Sequence, residues 1–196
     1  MAEALKPANS IFNNRDPERG RLKRERAQKE FFNDPPIDAA TAITFFDTYG
    51  GGSAERPMLV VRWANMLPDS DAAGCAFWTA VQEMWTSFDR IPHDDYARLF
   101  HRFAEQWQPG PEIAGLPERM TAYRGQSADA PIGLSWTLDR DVAAGFARGH
   151  RFITVPNPAI FKVLIPRNLV VLAFPDDRKE AEIVVKSTKG LDTVEC

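Results

Sequence analysis

Three short motifs in the last third of the chain carry residue types that can do chemistry. The first, Ala122-Tyr123-Arg124-Gly125, places a guanidinium beside a glycine. A guanidinium can donate two parallel hydrogen bonds to phosphate oxygens, which lysine does poorly, and glycine lets the main chain approach a ligand closely. Arg124 and Gly125 are therefore candidate ligand-binding residues. An ordinary arginine at the rim of a domain would give the same local pattern.

The second motif, Leu134-Ser135-Trp136-Thr137, alternates hydroxyl and apolar side chains. On a strand Ser135 and Thr137 face the same side, while Trp136 points to the other side and packs inside. A following helix is predicted to fold back over this strand. Hydroxyl groups under such a cover need a partner, either a ligand or a carboxylate. The alternative is a solvent-exposed polar face.

The third motif, Glu180-Ala181-Glu182, precedes the apolar run Ile183-Val184-Val185. We expect Glu180 and Glu182 to share one strand face, with Glu182 at the rim of the sheet. A carboxylate there can accept a hydrogen bond from a sugar hydroxyl and stabilise positive charge that develops on the sugar. Glu180 would lie nearer an incoming acceptor and could orient or deprotonate it. Alternatively, the pair are charges that protect an aggregation-prone strand.

The elements that must position these motifs are short strands and one helix. Turn residues separate the apolar runs, so the second half of the chain predicts a small sheet. The predicted helix Asp141–Ala147 turns Val142, Gly145 and Phe146 inwards. The predicted strands are Met120–Tyr123 (which ends at Arg124), Leu134–Thr137, Ile160–Ile165, Leu169–Phe174 and Ala181–Lys186.

The first half of the chain is predicted to be helical. Residues 14–30 are dense in charge without an apolar stripe, which indicates a solvated helix or arm; the alternative is an arm that binds an acidic partner. Abundant Trp and Phe side chains in the helices that follow indicate core packing rather than a cofactor site. Helices are predicted from Asp38 to Tyr49, from Ser70 or Asp71 to about Phe88, and from about His93 to Trp107. The stretch Pro57–Leu67 favours a helix because Pro57 suits a first helical turn, although Met58-Leu59-Val60-Val61 would also suit a strand.

The order of these elements predicts an α+β fold, with a helical N-terminal half followed by a compact sheet. We expect a basic N-terminal arm or helix over residues 1–36, a helical region over 37–110 and a β core over 111–196. Pro109-Gly110-Pro111 marks the seam between the last two, and 37–196 is expected to be one compact unit.

Composition limits the classes of function. The 196 residues carry a formal net charge of −3, which gives no global reason to expect nucleic acid or an anionic membrane as partner. No apolar run reaches the ~20 residues of a membrane helix, and Met1–Ser10 lacks the apolar segment of a signal peptide, so we expect a cytoplasmic protein. Cys75 and Cys196 predict no disulfide. The scattered His93, His101 and His150 predict no metal site.

Taken in order, the motifs resemble those of the mono-ADP-ribosyltransferase superfamily of the arginine–serine–glutamate type. The resemblance rests on Tyr123-Arg124-Gly125, on Ser135-Trp136-Thr137 followed by Ala143, Phe146 and Ala147, and on Glu180-x-Glu182 before a β run; it covers residues 117–190. The family's middle motif is commonly Ser-Thr-Ser, so Trp136 departs from the pattern. That departure puts any closer subfamily assignment in doubt.

The resemblance implies an ADP-ribosyltransferase-like split sheet with NAD as co-substrate and no metal. It implies that Arg124 binds the phosphate and ribose of NAD and that the Gly125 main chain meets the nicotinamide amide. Ser135 and Thr137 would support the ribose and the catalytic carboxylate, which is Glu182. By the same resemblance Phe146 lines the nicotinamide pocket, although packing explains it equally well, and Glu180 and the loop Pro175–Lys179 face the target.

The expected function is cleavage of the nicotinamide–ribose bond and transfer of ADP-ribose to a macromolecule, for example to an arginine of a bacterial protein. A bacterial or phage effector or toxin fits this function, and an inhibitor or antidote protein is a candidate partner; no membrane is expected. One alternative is an NAD glycohydrolase that uses the same residues. Others are a non-catalytic protein that binds a partner, and transfer to nucleic acid held by Arg15–Lys29.

Overall fold

The computed structural model describes residues 17–149, 154–174 and 180–196. The chain divides into two compact units after Pro35. Helix α1 (Pro17–Asn33) belongs to the first unit, and its surface is largely exposed. Ion pairs one turn apart join Arg21 to Glu25 and Arg26 to Glu30. The predicted charged helix is therefore confirmed from residue 17 onwards, and residues 14–16 lie outside the described part of the chain.

Five helices open the second unit, and their starts follow from local sequence. The Asp38 carboxylate accepts a hydrogen bond from the main-chain N–H of Thr41 at 2.7 Å, and Ser70 caps its helix through Ala73. Pro57 occupies the first turn of its helix, where no intrahelical donor is lost. The helices are α2 (Ala39–Tyr49), α3 (Arg56–Met66), α4 (Asp71–Met84), α5 (His93–Arg102) and α6 (Pro111–Ala114).

The predicted helices are confirmed, but two end earlier than predicted. Helix α4 stops at Met84 and continues as the 3₁₀ turn Trp85–Ser87, and α5 stops at Arg102 before the turn Ala104–Gln106. Apolar periodicity continues through both 3₁₀ turns, so it could not mark the boundaries.

Aromatic side chains of α4, of the 3₁₀ turn that follows it and of α5 form the helical core. Trp78 stacks on Phe100 with ring centroids 5.0 Å apart, and Trp85 meets the edge of Tyr96 at 5.2 Å. Each of these four side chains is almost fully buried, and burial of a large apolar side chain contributes roughly 2–3 kcal/mol. The prediction that these residues pack in the core is confirmed.

Six strands form one antiparallel sheet in the described residues. Its strand order is β4-β5-β2-β1-β3-β6, so the mixed α+β class is confirmed. Strand β6 was not predicted, because two exposed residues have too short a pattern to detect. The strands are β1 (Arg119–Ser127), β2 (Ser135–Thr137), β3 (Pro158–Pro166), β4 (Val170–Phe174), β5 (Glu182–Val185) and β6 (Val194–Glu195).

The sheet opens in its middle, between β1 and β2. Strand β1 pairs with β3 over its whole length, from Arg119 to Ser127, whereas it pairs with β2 only at Tyr123 and Thr137. Beyond that pair β1 and β2 separate, so the sheet consists of the halves β4-β5-β2 and β1-β3-β6. Main-chain groups of β2 that face the opening need other partners.

Helix α7 (Arg140–Arg148) packs against β1 through small residues. Its buried residues are Ala143 and Ala147, whereas Val142, Gly145 and Phe146 are only half-buried, so the predicted inward face was wrong. Gly125 explains the difference: a Cβ there would lie 1.8 Å from the Ala143 carbonyl oxygen. Only alanines opposite a glycine allow the helix to approach β1 so closely.

The structure also bears on membrane-spanning helices and on the two cysteines. No helix in that part of the chain has the length and apolar character needed to cross a membrane. Cys75 and Cys196 are both free and exposed.

Candidate active site

The opening in the sheet forms one wall of a cavity of about 440 Å³. The segment Trp85–His93, which joins α4 to α5, forms another wall. This volume lies within the range of small-molecule sites. All seven residues predicted for the site line this one cavity: Arg124, Gly125, Ser135, Thr137, Phe146, Glu180 and Glu182.

Glu182, the first residue of β5, is held by two donors on different elements. Its Oε1 accepts a hydrogen bond from the Trp85 indole N–H at 3.0 Å and one from the Ser135 hydroxyl at 2.5 Å. Burial raises the pKa of Glu182 above its usual value, and the nearby Glu180 adds to the rise, while Ser135, Trp85 and Arg124 oppose it. The carboxylate is therefore oriented and incompletely solvated in the cavity.

Glu180 reaches the cavity by a different route from the one predicted. It lies outside β5, and Ala181 between the two glutamates has a φ of 45°, so the pair does not alternate along one strand face. The prediction of a shared strand face was wrong. The Thr137 hydroxyl donates to the Glu180 carbonyl at 2.5 Å and accepts from the Asp139 N–H at 3.0 Å. Thr137 thus fixes the turn that brings Glu180 beside Glu182.

Arg124 lies inside β1 and not at its end, which corrects the predicted boundary at Tyr123. The strand continues because β3 pairs with it as far as Ser127. The Arg124 guanidinium donates to Gln126 Oε1 and to the Ser135 carbonyl, each at 2.5 Å. It therefore satisfies a β2 carbonyl that the opening leaves without a ladder partner. Burial lowers the pKa of Arg124 to about 10, against an opposing effect of Glu182.

The guanidinium keeps donors available for a ligand. Arg124 has five N–H groups, and two of them serve Gln126 and Ser135. Its Nη2 lies 3.4 Å from His93 Nε2. Arg124 therefore borders the cavity with N–H groups beyond those that serve Gln126 and Ser135, and part of the guanidinium has a structural role that the sequence did not predict.

Among the residues that were missed, Trp85, His93 and Gln126 contact the predicted site residues directly. His93 was set aside because the histidines are scattered, and Trp85 was assigned to the core alone. No local spacing connects either residue to β5, since Trp85 and Glu182 are 97 residues apart. Gln126 could have been found: it lies two residues after Arg124, on the same strand face, and is only 8% exposed.

Gly125 and Phe146 both border the cavity, but packing accounts for Gly125 without a ligand, because α7 covers the place of its missing side chain. Trp136 is 2% exposed, which confirms that it packs inside. The roles of these residues toward a ligand stay predictions. The loop Pro175–Lys179, which was predicted to face a target, and His150 lie outside the described residues.

Within the described residues, no group of three or more His, Cys, Asp or Glu side chains could hold a metal ion. Comparison with known protein families, with characterised proteins and with solved structures finds no match to this chain. Function must therefore be argued from the chemistry of the cavity.

Proposed function

We propose that this protein is an NAD-dependent mono-ADP-ribosyltransferase and that its acceptor is a macromolecule, most simply an arginine side chain of a protein. One observation carries the proposal: Arg124, the Ser135–Glu182 pair and Glu180 line a single cavity at the opening of the sheet. Their order along the chain is that of the motifs that resemble the arginine–serine–glutamate transferases. The site thereby offers a cation, a hydroxyl and two carboxylates around one ligand volume.

In the proposed reaction the bond between the ribose C1′ and the nicotinamide nitrogen breaks. Both electrons of this bond go to the ring nitrogen, so the pyridinium leaves as neutral nicotinamide and the ribose becomes an oxocarbenium-like cation. The Glu182 carboxylate stabilises this cation electrostatically. Trp85 and Ser135 hold the carboxylate in place before the charge develops, so little reorganisation is needed.

Glu180 serves the acceptor in this proposal. A guanidinium nitrogen gives up a proton to the Glu180 carboxylate as its electron pair forms the new bond to C1′. The proton later passes to water. Because the leaving group departs neutral, the step does not require a metal ion to stabilise it. Arg124 holds the phosphate end of the substrate through its remaining donors.

The decisive experiment is incubation of the full chain with labelled NAD and a bacterial lysate, followed by mass spectrometry of the labelled product. We expect ADP-ribose attached to protein. Glu182→Gln should lower the rate of NAD cleavage by about 10³-fold, because the charge opposite the oxocarbenium ion is lost while the shape is kept. Glu195→Gln, an exposed glutamate of β6, is the matched control and should keep the wild-type rate.

The other outcomes identify the alternatives. Equal activity of Glu182→Gln and the wild type would refute the assignment of Glu182. Free ADP-ribose without labelled protein would favour a glycohydrolase. Failure of millimolar NAD to raise the Tm would favour a non-catalytic binding protein. Labelled nucleic acid, with salt-sensitive binding, would replace the protein acceptor.

A further inference from the structure

His93 has a defined tautomer. Its Nδ1 accepts a hydrogen bond from the main-chain N–H of Leu134 at 3.1 Å, and Leu134 is 2% exposed. A neutral imidazole has one N–H and one bare nitrogen, so the proton of His93 must be on Nε2. Burial and the neighbouring Arg124 lower the pKa of His93 to about 3, which keeps the ring neutral near pH 7.

With this tautomer, His93 and Arg124 each direct a hydrogen-bond donor at the other. His93 Nε2 and Arg124 Nη2 are 3.4 Å apart, and each carries hydrogen. The opposite tautomer would place the Nδ1 hydrogen against the Leu134 N–H at the shorter distance and leave a buried main-chain donor unpaired. The two side chains therefore need a shared acceptor that neither supplies.

Gly133 lies against one side of the two donors. A Cβ built on Gly133 would lie 2.4 Å from His93 Nε2 and 2.5 Å from Arg124 Nη2, so the main chain of Gly133 closes that side. Both side chains also line the cavity. An oxygen atom in the cavity can accept from both donors at once.

We propose that His93 and Arg124 together form a two-donor site for a phosphoryl oxygen. One donor is a cation and the other is neutral, which suits a singly charged oxygen of a phosphodiester or pyrophosphate. The proposal rests on the proposed function to this extent: the phosphoryl group that the site receives is the pyrophosphate of NAD. His93 acts as a binding and specificity-determining residue, not as a proton donor.

The tautomer is tested first, by long-range ¹H–¹⁵N spectra of the ¹⁵N-labelled full chain at neutral pH. We expect the His93 ring to show a protonated Nε2 and a bare Nδ1. A protonated Nδ1 would overturn the proposal, because His93 Nε2 would then accept from Arg124 and need no ligand.

Binding is tested by calorimetry with three probes: ADP-ribose, inorganic pyrophosphate and nicotinamide riboside, which has no phosphate. His93→Gln should bind the first two about tenfold more weakly, because a Gln amide can donate but has no ring nitrogen to accept from the Leu134 N–H, so the direction of the donor is no longer fixed; it should bind the riboside as the wild type does. His101→Gln is the matched control, because His101 lies on the same helix and is exposed. It should change none of the three affinities.

A second variant keeps the proposal testable if His93→Gln folds poorly. Gly133→Ala inserts a methyl group against both donors and should also weaken ADP-ribose and pyrophosphate binding, whereas Gly145→Ala, with open space around it, should not. Unchanged ADP-ribose affinity in both His93→Gln and Gly133→Ala would overturn the proposal. So would an equal loss of riboside binding, which would indicate a merely structural role.

These results separate this proposal from the proposed function. If the wild type cleaves NAD but His93→Gln binds ADP-ribose normally, the His93 proposal fails and the function stands. If the wild type binds pyrophosphate through His93 but neither binds nor cleaves NAD, the phosphoryl site stands and the transferase proposal fails.

Discussion

The sheet wall of the cavity presents Arg124, Ser135, Glu180 and Glu182. It differs in chemistry from the two ring residues of the helix wall, Trp85 and His93, which share that wall with Asp89 and Arg90. Every charged group that the proposed reaction uses belongs to the sheet wall or to the turn before β5. The helix wall contributes neutral ring N–H groups: Trp85 donates to Glu182, and His93 directs its Nε2–H beside Arg124.

The sheet wall therefore supplies the charged groups, and the ring N–H groups of the helix wall adjust their ionisation and contacts. The strands hold the guanidinium and the carboxylate at the opening, where burial shifts the pKa of each toward its neutral form. The indole N–H of the helix wall opposes that shift at Glu182. Variants of the two walls should therefore differ: changes in the sheet wall should impair folding, the chemical step or NAD binding, and changes in the helix wall should alter the pH dependence or phosphate binding without removing a charged group.

The largest effect is expected where the sheet wall meets α7. Gly125→Ala should lower the free energy of unfolding by about 3 kcal/mol, because the new methyl group would overlap the main chain of Ala143 and Ala147. Urea denaturation measures the change. Gly145→Ala, on α7 itself, has nothing within 4 Å of its new Cβ and serves as the control. Equal stability of the two variants would contradict the close approach of α7 to β1.

The next largest effect concerns the acceptor. Glu180→Gln should slow transfer to protein by on the order of 10²-fold, because the base for the acceptor is lost, and should slow NAD hydrolysis much less. Rates of protein labelling and of nicotinamide release from the same sample give both values. If the two rates fall together, Glu180 acts on NAD cleavage itself and its acceptor role is wrong.

Arg124→Lys tests whether the sheet wall needs a fork and not only a charge. We expect NAD affinity to fall about tenfold, since an ammonium group cannot serve the Ser135 carbonyl, Gln126 and a phosphate together. Titration calorimetry measures the affinity. Arg119→Lys, at the exposed start of the same strand, should behave as the wild type. Wild-type NAD affinity in Arg124→Lys would remove this residue from the site.

The smallest change belongs to the helix wall and appears in the pH profile. The indole N–H stabilises the charged form of Glu182, so its loss in Trp85→Phe should raise the pKa of Glu182 further. Because the proposed reaction needs the carboxylate, activity falls as pH drops through this pKa. The acid limb of the rate profile should thus move to higher pH, with nearly normal activity well above it.

Trp78→Phe is the control for that profile. The Trp78 indole also donates a buried hydrogen bond, but to the Phe103 carbonyl and away from the cavity. The Trp78→Phe variant should therefore keep the acid limb of the rate profile at its wild-type pH. An unmoved limb in Trp85→Phe would show that Glu182 does not set the pH dependence.

Much of the fold followed from local pattern. Capping residues and apolar periodicity located the helices, alternation located β2, and apolar runs bounded by turn residues located the other predicted strands. The predicted ends of helices and strands were wrong where tertiary contacts extend or interrupt an element. Strand β1 runs past Arg124 because β3 pairs with it, and α4 ends at Met84 although apolar residues continue.

The candidate site, like the fold, was predictable in part. Sequence alternation put Ser135 and Thr137 together, but the left-handed φ at Ala181 placed Glu180 beside Glu182 in a way that alternation does not describe. The small residues Ala143 and Ala147 were overlooked as a helix face, because their role depends on a glycine in another element.

By itself, the sequence determined the longer helices, the strands other than β6 and the residues that carry charge, because propensity, capping and periodicity act over a few neighbouring residues. Only the tertiary structure decided that β1 and β2 separate after one pair, that Arg124 bridges the opening, and that Trp85 and His93 face the two charged groups. The reason is that these contacts join residues 11 to 97 positions apart, and their geometry depends on how whole elements pack.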